Sequence, residues 1–343
     1  MSRIFAKSPY IISINESGQI GAKVEIYLKQ SGGSYGASPD YTLSKLIASS
    51  NAPTCYFDVS EYISNYITHP SYTANVSTFP LYLPNDNYCY ARIKRYKLIG
   101  STYTLIDSTD YTCLNGYTFS VDGINQGSKS LSLTNGTYYY DPEKNAGDFV
   151  YDSPTADYYV RYTNLVSGAN QTSTLDVGLY QLYKVYSSYL TAGNKVEIFT
   201  NTNTLLFTLY FKPTQATKYS SVTVDFLNSF GAFQREFFFG ASVDSMNVSN
   251  SEYKSYRLNE TTFNSQENLV QTFNVNGTES IKVNSGWVDE AFKETIKQLL
   301  LSDRILVNNR PAKLNTKQID LQKNINNKMI NYPLEFNFTN DII

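Results

Sequence analysis

The sequence predicts a mainly β protein of two β-sandwich-like domains, with short helices and one amphipathic helix near residues 287–301. Three observations carry this. Apolar and polar residues alternate with period two in many short runs, clusters of Asn, Ser, Thr, Gly and Pro separate those runs, and few stretches show helical spacing. The 343 residues, 41% hydrophobic and 15% aromatic, suffice for a core in each of two domains, which excludes disorder for most of the chain. We place a β-rich domain at 1–180, with a loop-rich insertion near 110–171, and a β-sandwich or α+β domain at 181–343.

In the first half, Val24, Ile26 and Leu28 share one face of a strand and Lys23, Glu25 and Tyr27 the other. The period recurs from Tyr88 to Leu98, with Cys89, Ala91 and Ile93 opposed to Arg92 and Lys94. Between them lies a short helix from Asp58 to Ile67. Asp58 caps it with Glu61 placed for a capping box, Val59, Ile63, Tyr66 and Ile67 form its buried stripe, and Pro70 stops it. From Asp110 to Gln171 the apolar period fades into Gly, Asn, Ser, Asp and Tyr, which reads as long loops. Residues 179–190 fit strand and helix about equally.

In the second half, Lys195 to Phe199, Leu205 to Phe211 and Val222 to Leu227 each alternate. Asn276-Gly277, between Phe273 to Val275 and Ile281 to Val283, suggests a hairpin turn. The amphipathic helix follows, with Trp287, Ala291, Phe292, Ile296, Leu299 and Leu300 on one side. Asp289, Glu290, Lys293, Glu294 and Lys297 lie on the other, acidic end first, which suits the helix dipole. Strands are expected again at Arg304 to Val307, around Ile319 to Leu321, and at Leu334 to Phe338.

Composition narrows the chemistry. Charged residues are 17%, against about 25% in an average soluble protein, and 28 Lys and Arg nearly cancel 30 Asp and Glu. The surface must therefore use neutral polar groups, among them 31 Tyr, each with a ring to bury and a hydroxyl to offer. His69 is the only histidine, which disfavours His-based metal centres and imidazole catalysis. Cys55, Cys89 and Cys113 are widely spaced and read as unpaired thiols of a chain made in a reducing compartment. The first residues carry Arg3 and Lys7 but no apolar run follows, so no secretory signal is expected, nor is any membrane-spanning segment. Near-neutral charge leaves no electrostatic footprint for nucleic acid.

Among motifs, Phe226 to Gly240 is the densest apolar run and reads as two strands joined through Asn228 to Gly231. Its phenylalanines suit a core. Phe237, Phe238 and Phe239 cannot all share one strand face, so Phe230, Phe233 and these three are also candidates for an interface between subunits. Asp141, Glu143, Asn145 and Asp152 echo the spacing of a calcium loop, but Gly147 falls one residue late and no helices flank it, so a solvated turn competes with ion binding. Tyr138, Tyr139, Tyr140, Tyr158 and Tyr159 could stack on sugar rings or face a neighbouring subunit. No catalytic motif occurs in its required context, so neither an enzyme nor a cofactor is expected.

The residues from Ser221 to Phe233, then Tyr253 to Tyr256, Trp287 with Glu290, Leu299 to Asp303, and Tyr332 to Phe338 form an ordered pattern. It resembles virion structural proteins of tailed, crAss-like bacteriophages infecting Bacteroidetes. There, a Leu-Asn-x-Phe/Tyr-Gly segment precedes a tryptophan-bearing helix, a pair of strands and a terminal aromatic strand. The first half, with Ser8-Pro9 and the Asp58 helix, is similar more weakly, and residues 110–171 depart from the pattern. The resemblance implies a neck or tail component of the virion, a ring or tail-hub protein assembled in the host cytoplasm. Its partners would be copies of itself in a ring and other neck or tail proteins, with DNA only as passing cargo. A surface poor in charge and rich in Tyr suits permanent interfaces. The rival functions are a host-glycan or receptor-binding module and, third, a carboxylate-dependent polysaccharide hydrolase, since two carboxylates suffice for that reaction.

Overall fold

A computed structural model describes residues 2–30, 32–47, 53–68, 88–119, 131–144, 147–153, 158–175, 178–184, 186–214, 220–254, 270–320 and 330–340. The chain is mainly β, with two α-helices among the described residues. It divides into two compact units, residues 1–215 with 227–235, and 216–226 with 236–343.

The first unit begins with β1 (Ser2–Phe5), β2 (Ile11–Ile14), β3 (Gly21–Lys29), β4 (Tyr41–Leu46), β5 (Cys55–Asp58), α1 (Ser60–Tyr66), β6 (Tyr88–Ile99) and β7 (Thr102–Leu114). Five of these strands make a sheet in the order β1-β7-β6-β3-β4, parallel only between β1 and β7, while β2 and β5 pair separately. Period two decides what is buried. Val24, Ile26, Ala91 and Ile93 enter one core with Ile12 and Ile14 of β2, Phe57 of β5, and Val59 and Ile63 at α1. Asp58 Oδ1 accepts the Ser60 N–H at 3.0 Å and the Ser60 hydroxyl at 2.7 Å, so it anchors the start of α1 as expected. The cap position itself is taken by Val59, however, and no capping box with Glu61 forms. His69 and Pro70 lie outside the described residues.

Next come β8 (Gly136–Tyr140), β9 (Asp148–Ser153), β10 (Tyr158–Asn164), β11 (Asn170–Leu175), β12 (Gly178–Lys184), β13 (Asn194–Thr200) and β14 (Leu205–Pro213). The second sheet runs β11-β10-β13-β14-β8, with β9 and β12 paired alongside. The expectation of long loops over 110–171 is thereby corrected for the described residues, while 120–130, 145–146 and 154–157 lie outside them. Tyrosine does the work of an aliphatic residue here: Tyr140, Tyr151 and Tyr162 are fully buried, and a reading that treats Tyr as polar loses the period. Residues 179–190 resolve into strand β12 and a single 3-10 turn at Ser187–Tyr189. Because β13 and β14 pair with β10 and β8, the first unit runs past the boundary expected at 180/181.

The second unit is built on one seven-stranded sheet. Its elements are β15 (Val222–Leu227), β16 (Phe233–Phe238), β17 (Val243–Lys254), β18 (Val270–Asn284), α2 (Phe292–Leu300), β19 (Ile305–Val307), β20 (Arg310–Leu314) and β21 (Pro333–Phe338), in the order β16-β15-β19-β20-β21-β18-β17. The tip of the β15–β16 hairpin, residues 227–235, groups with the first unit. Asn228 shapes that tip, its side-chain oxygen accepting N–H groups of Phe230 at 3.0 Å and Ala232 at 3.2 Å. Ile296 and Leu299 of α2 close the core over Val224, Phe226, Val283, Ile305, Leu334 and Phe336.

Three local expectations are corrected in this unit. The helix starts at Phe292 rather than 287, because Val288 exchanges two backbone hydrogen bonds of 2.8 Å with Ile330 and Gly286 adopts φ +71°. Asn276-Gly277 lies within β18, which continues through it. The positive φ of 51° falls on Asn274, where a bulge lets β18 bend without ending. Ile319 and Asp320 are irregular, and Leu321 lies outside the described residues.

Candidate assembly surface

Most of the aromatic residues singled out above serve the chain's own packing. Phe230, Phe233, Phe237 and Phe238 are buried, Phe230 edge-on to Phe5 with ring centroids 6.1 Å apart. Phe238 faces the second unit's core, whereas Phe237 and Phe239, two residues apart, stack on each other at 6.1 Å. The rule that three consecutive phenylalanines divide between two faces holds. Burial of Phe237 nevertheless leaves only the half-buried Phe239 near a surface.

The tyrosines behave similarly. Tyr138 stacks on Phe211 and donates its hydroxyl to the Thr134 carbonyl at 2.8 Å, and Tyr140 is buried with its hydroxyl donated to the Leu190 carbonyl. Burial raises the Tyr140 pKa well above its ordinary value. Tyr158 points inward onto Tyr151, while Tyr159, on the outer face, stacks on Phe199 at 5.1 Å and bonds Asn203 at 2.6 Å. Tyr139, 38% exposed, is the one of the five that is open. They do not form a shared platform. Asp141 is engaged in its own turn, accepting the Glu143 N–H at 3.1 Å, while Asn145 and the Asp152 side chain lie outside the described residues. Among the described residues no group of three His, Cys, Asp or Glu could hold a metal ion, and no helix is long and apolar enough to cross a membrane.

The outer face of β3 and β6 interleaves cations with tyrosines. Lys23 sits 4.2 Å from the Tyr96 ring centre, Lys94 4.5 Å from Tyr27 and Arg92 4.4 Å from Tyr35. Arg92 also forks onto Asp110 at 2.7 and 2.9 Å, which holds that carboxyl below its ordinary pKa. These charges are satisfied within the face.

The open surface lies on β17 and β18. Nearly every described side chain of β17 is exposed, and so is the first part of β18. Met246 and Val248 are 56% and 59% exposed, and Tyr253, Phe273 and Val275 also stand in solvent, Tyr253 edge-on to Phe273 at 5.7 Å. β17 ends the sheet order, so along one side its backbone N–H and C=O groups have no strand partner among the described elements. Where the ribbon leaves the core, a cavity of about 370 Å³ opens between Asp244, Met246, Glu279, Ile281, Arg310 and Phe338. The Arg310 guanidinium lies 3.9 Å from the Phe338 ring centre and pairs with Glu279. Trp287, expected on the buried side of the helix, is 68% exposed in the bend before α2.

Tyr253, Phe273, Val275 and Trp287 figure in the sequence reading as parts of a pattern, a strand and a helix, whereas Met246 and Val248 do not, and none of them is expected there as an exposed surface. A signal was present: Val243 to Lys254 contains no Gly and no Pro, and Met246 and Val248 are two apart, as a strand with one apolar row requires. No protein-family model matches the chain, and no curated protein matches its sequence.

Proposed function

We propose that this chain is a non-enzymatic structural component of a tailed-phage virion, assembling from copies of itself into a ring of the neck or tail around the DNA channel. The observation that carries the reading is the β17–β18 ribbon, whose β17 edge has no strand partner among the described residues and which exposes Met246, Val248, Tyr253, Phe273 and Val275. A monomer that kept such a ribbon in water would risk uncontrolled edge pairing, which proteins normally suppress with proline, bulges or inward charge. An assembly subunit uses the same feature as a joint. The ordered C-terminal pattern from Ser221 to Phe338 supports placement in a virion, and neighbouring neck or tail proteins would cover the remaining apolar positions.

Ring closure requires a heterologous contact between unlike surfaces, repeated around an axis. DNA passes as cargo, and a near-neutral wall, with cations such as Arg92 and Lys23 already matched by carboxylates and rings, does not grip it. The test is mass measurement of the purified chain and an image of labelled particles. An oligomer found in the neck or tail supports the reading, and a stable monomer absent from virions overturns it.

A further inference from the structure

We propose that β17 pairs with β17 of a second copy, antiparallel about a two-fold axis at Ser249, so that two sheets become one. The inference rests on the reading of the chain as an assembly subunit and specifies one of its contacts. Two identical antiparallel strands related by an axis normal to the sheet must have one residue facing its own copy. The charges of β17 select which residue that is. With Ser249 at the axis, Asp244 opposes Lys254 at both ends, Ser245 opposes Tyr253, Met246 opposes Glu252 and Asn247 opposes Ser251. With Val248 there instead, Asp244 opposes Glu252, two like charges. With Asn250 there, Lys254 falls on Met246 and Asp244 passes beyond the strand.

Geometry agrees with that register. An axis normal to the sheet keeps the faces in common, so Val248 of each copy lies diagonal to Val248 of the other, two residues along, on the side that carries Ile281 and the core, while Met246 packs on the stem of the other copy's Glu252. The bulge at Asn274 lies on β18, opposite Asn250, so it leaves β17 itself continuous for pairing. Neither Asp244 nor Lys254 makes an ion pair within the chain among the described residues, so each is available to the other copy. A contact of this kind joins two copies and stops, so closure of a ring uses a second surface.

The test is a cysteine at the axis in the full-length chain. The native cysteines Cys55, Cys89 and Cys113 are buried and do not compete. Directly opposed residues on antiparallel strands have Cα atoms about 4.5–5.5 Å apart, within disulfide reach. Ser249→Cys is expected to give a covalent dimer on mild oxidation. Ser251→Cys opposes Asn247 instead, which separates its two copies by four residues, about 13 Å, so it should stay at single-chain mass. Asp244→Lys should lower the dimer yield of Ser249→Cys by about tenfold, and adding Lys254→Asp should restore it.

The unmodified chain's mass in solution is measured in parallel. An oligomer with no 249–249 crosslink, or with a crosslink at 251, overturns this pairing and leaves the assembly reading intact. A crosslinked dimer of a protein absent from particles does the reverse. A monomer with no crosslink overturns both. Capture of the edge by a different protein, with no effect of the charge exchange, also overturns the pairing.

Discussion

Arg161 and Glu197 face each other directly across β10 and β13, the guanidinium donating to Glu197 Oε2 at 2.9 Å while Lys195 Nζ lies 2.7 Å from Oε1. The Glu197 side chain is only 6% exposed. Burial opposes its charge, but hydrogen bonds from Lys195 and Arg161 outweigh burial and hold the carboxyl below its ordinary value of 4.5. A lowered folded pKa contributes stability that is fully present above the unfolded value and is lost as pH falls through the folded one. Glu197→Gln should therefore cost about 1–3 kcal/mol at neutral pH and flatten the loss of stability on acidification. Urea midpoints at pH 7 and below the ordinary carboxylate range measure both effects. Parallel curves for variant and wild type would count against this account.

At the alkaline end the sign reverses. Burial first, then the hydrogen bond to Glu25 at 2.7 Å, push the Tyr96 pKa up to about 12, and burial followed by the charge of Asp110 pushes Tyr35 to about 12. For these neutral acids the folded state keeps protons that the unfolded state releases. Their contribution is present below the ordinary tyrosine value of 10 and fades as pH rises from there toward 12. Ultraviolet titration should show phenols ionising late in this window, and Tyr96→Phe should remove one of them and make the alkaline fall in stability shallower. A variant titrating like wild type would refute the assignment.

Two glycines separate backbone strain from crowding. Gly18 and Gly231 have φ of 72° and 86°, but a Cβ on Gly18 meets nothing within 4 Å, whereas on Gly231 it comes within 2.7 Å of the Asn115 carbonyl carbon. Gly18→Ala should cost about 1–2 kcal/mol, the left-handed penalty alone. Gly231→Ala should cost more, because backbone at Asn115 and Gly116 must also move. Equal denaturation midpoints for the two variants would show that the hairpin tip packs more loosely than this.

Legibility followed the chemistry of each face. Where aliphatic residues alternate with charges, as at Val24, Ile26 and Leu28 against Lys23 and Glu25, the strand and its buried side were readable from spacing. Where tyrosine fills the core, as at Tyr140, Tyr151 and Tyr162, the same period was present but invisible, because the residue type does not say which way its ring points. Asn276-Gly277 had the composition of a turn, yet the left-handed residue is Asn274, and pairing with β17 keeps the strand going, a tertiary fact no local signal carries. The site failed for the opposite reason. Clustered phenylalanines attracted attention as candidates for an interface and most proved to be core, while the exposed row rests on isolated residues such as Met246 and Val248 in a polar strand.

Trp287 offers an optical test, since it is the only tryptophan and is 68% exposed. Its placement follows from the bend at Gly286 and the bridge from Val288 to Ile330, which send Val288 inward and leave the preceding side chain in water. In the dilute chain its emission should match that of indole in water and be quenched freely by acrylamide. Unfolding should then barely move the wavelength. Trp287→Ala should change stability by less than about 0.5 kcal/mol, whereas Leu299→Ala, in the core beneath α2, should cost about 2–5 kcal/mol. If neighbouring subunits cover this bend, raising the protein concentration shifts the emission to the blue and protects it from quencher. Blue-shifted, protected emission already present in the dilute monomer would mean that Trp287 packs against its own chain, and that the bend before α2 is not part of an assembly surface.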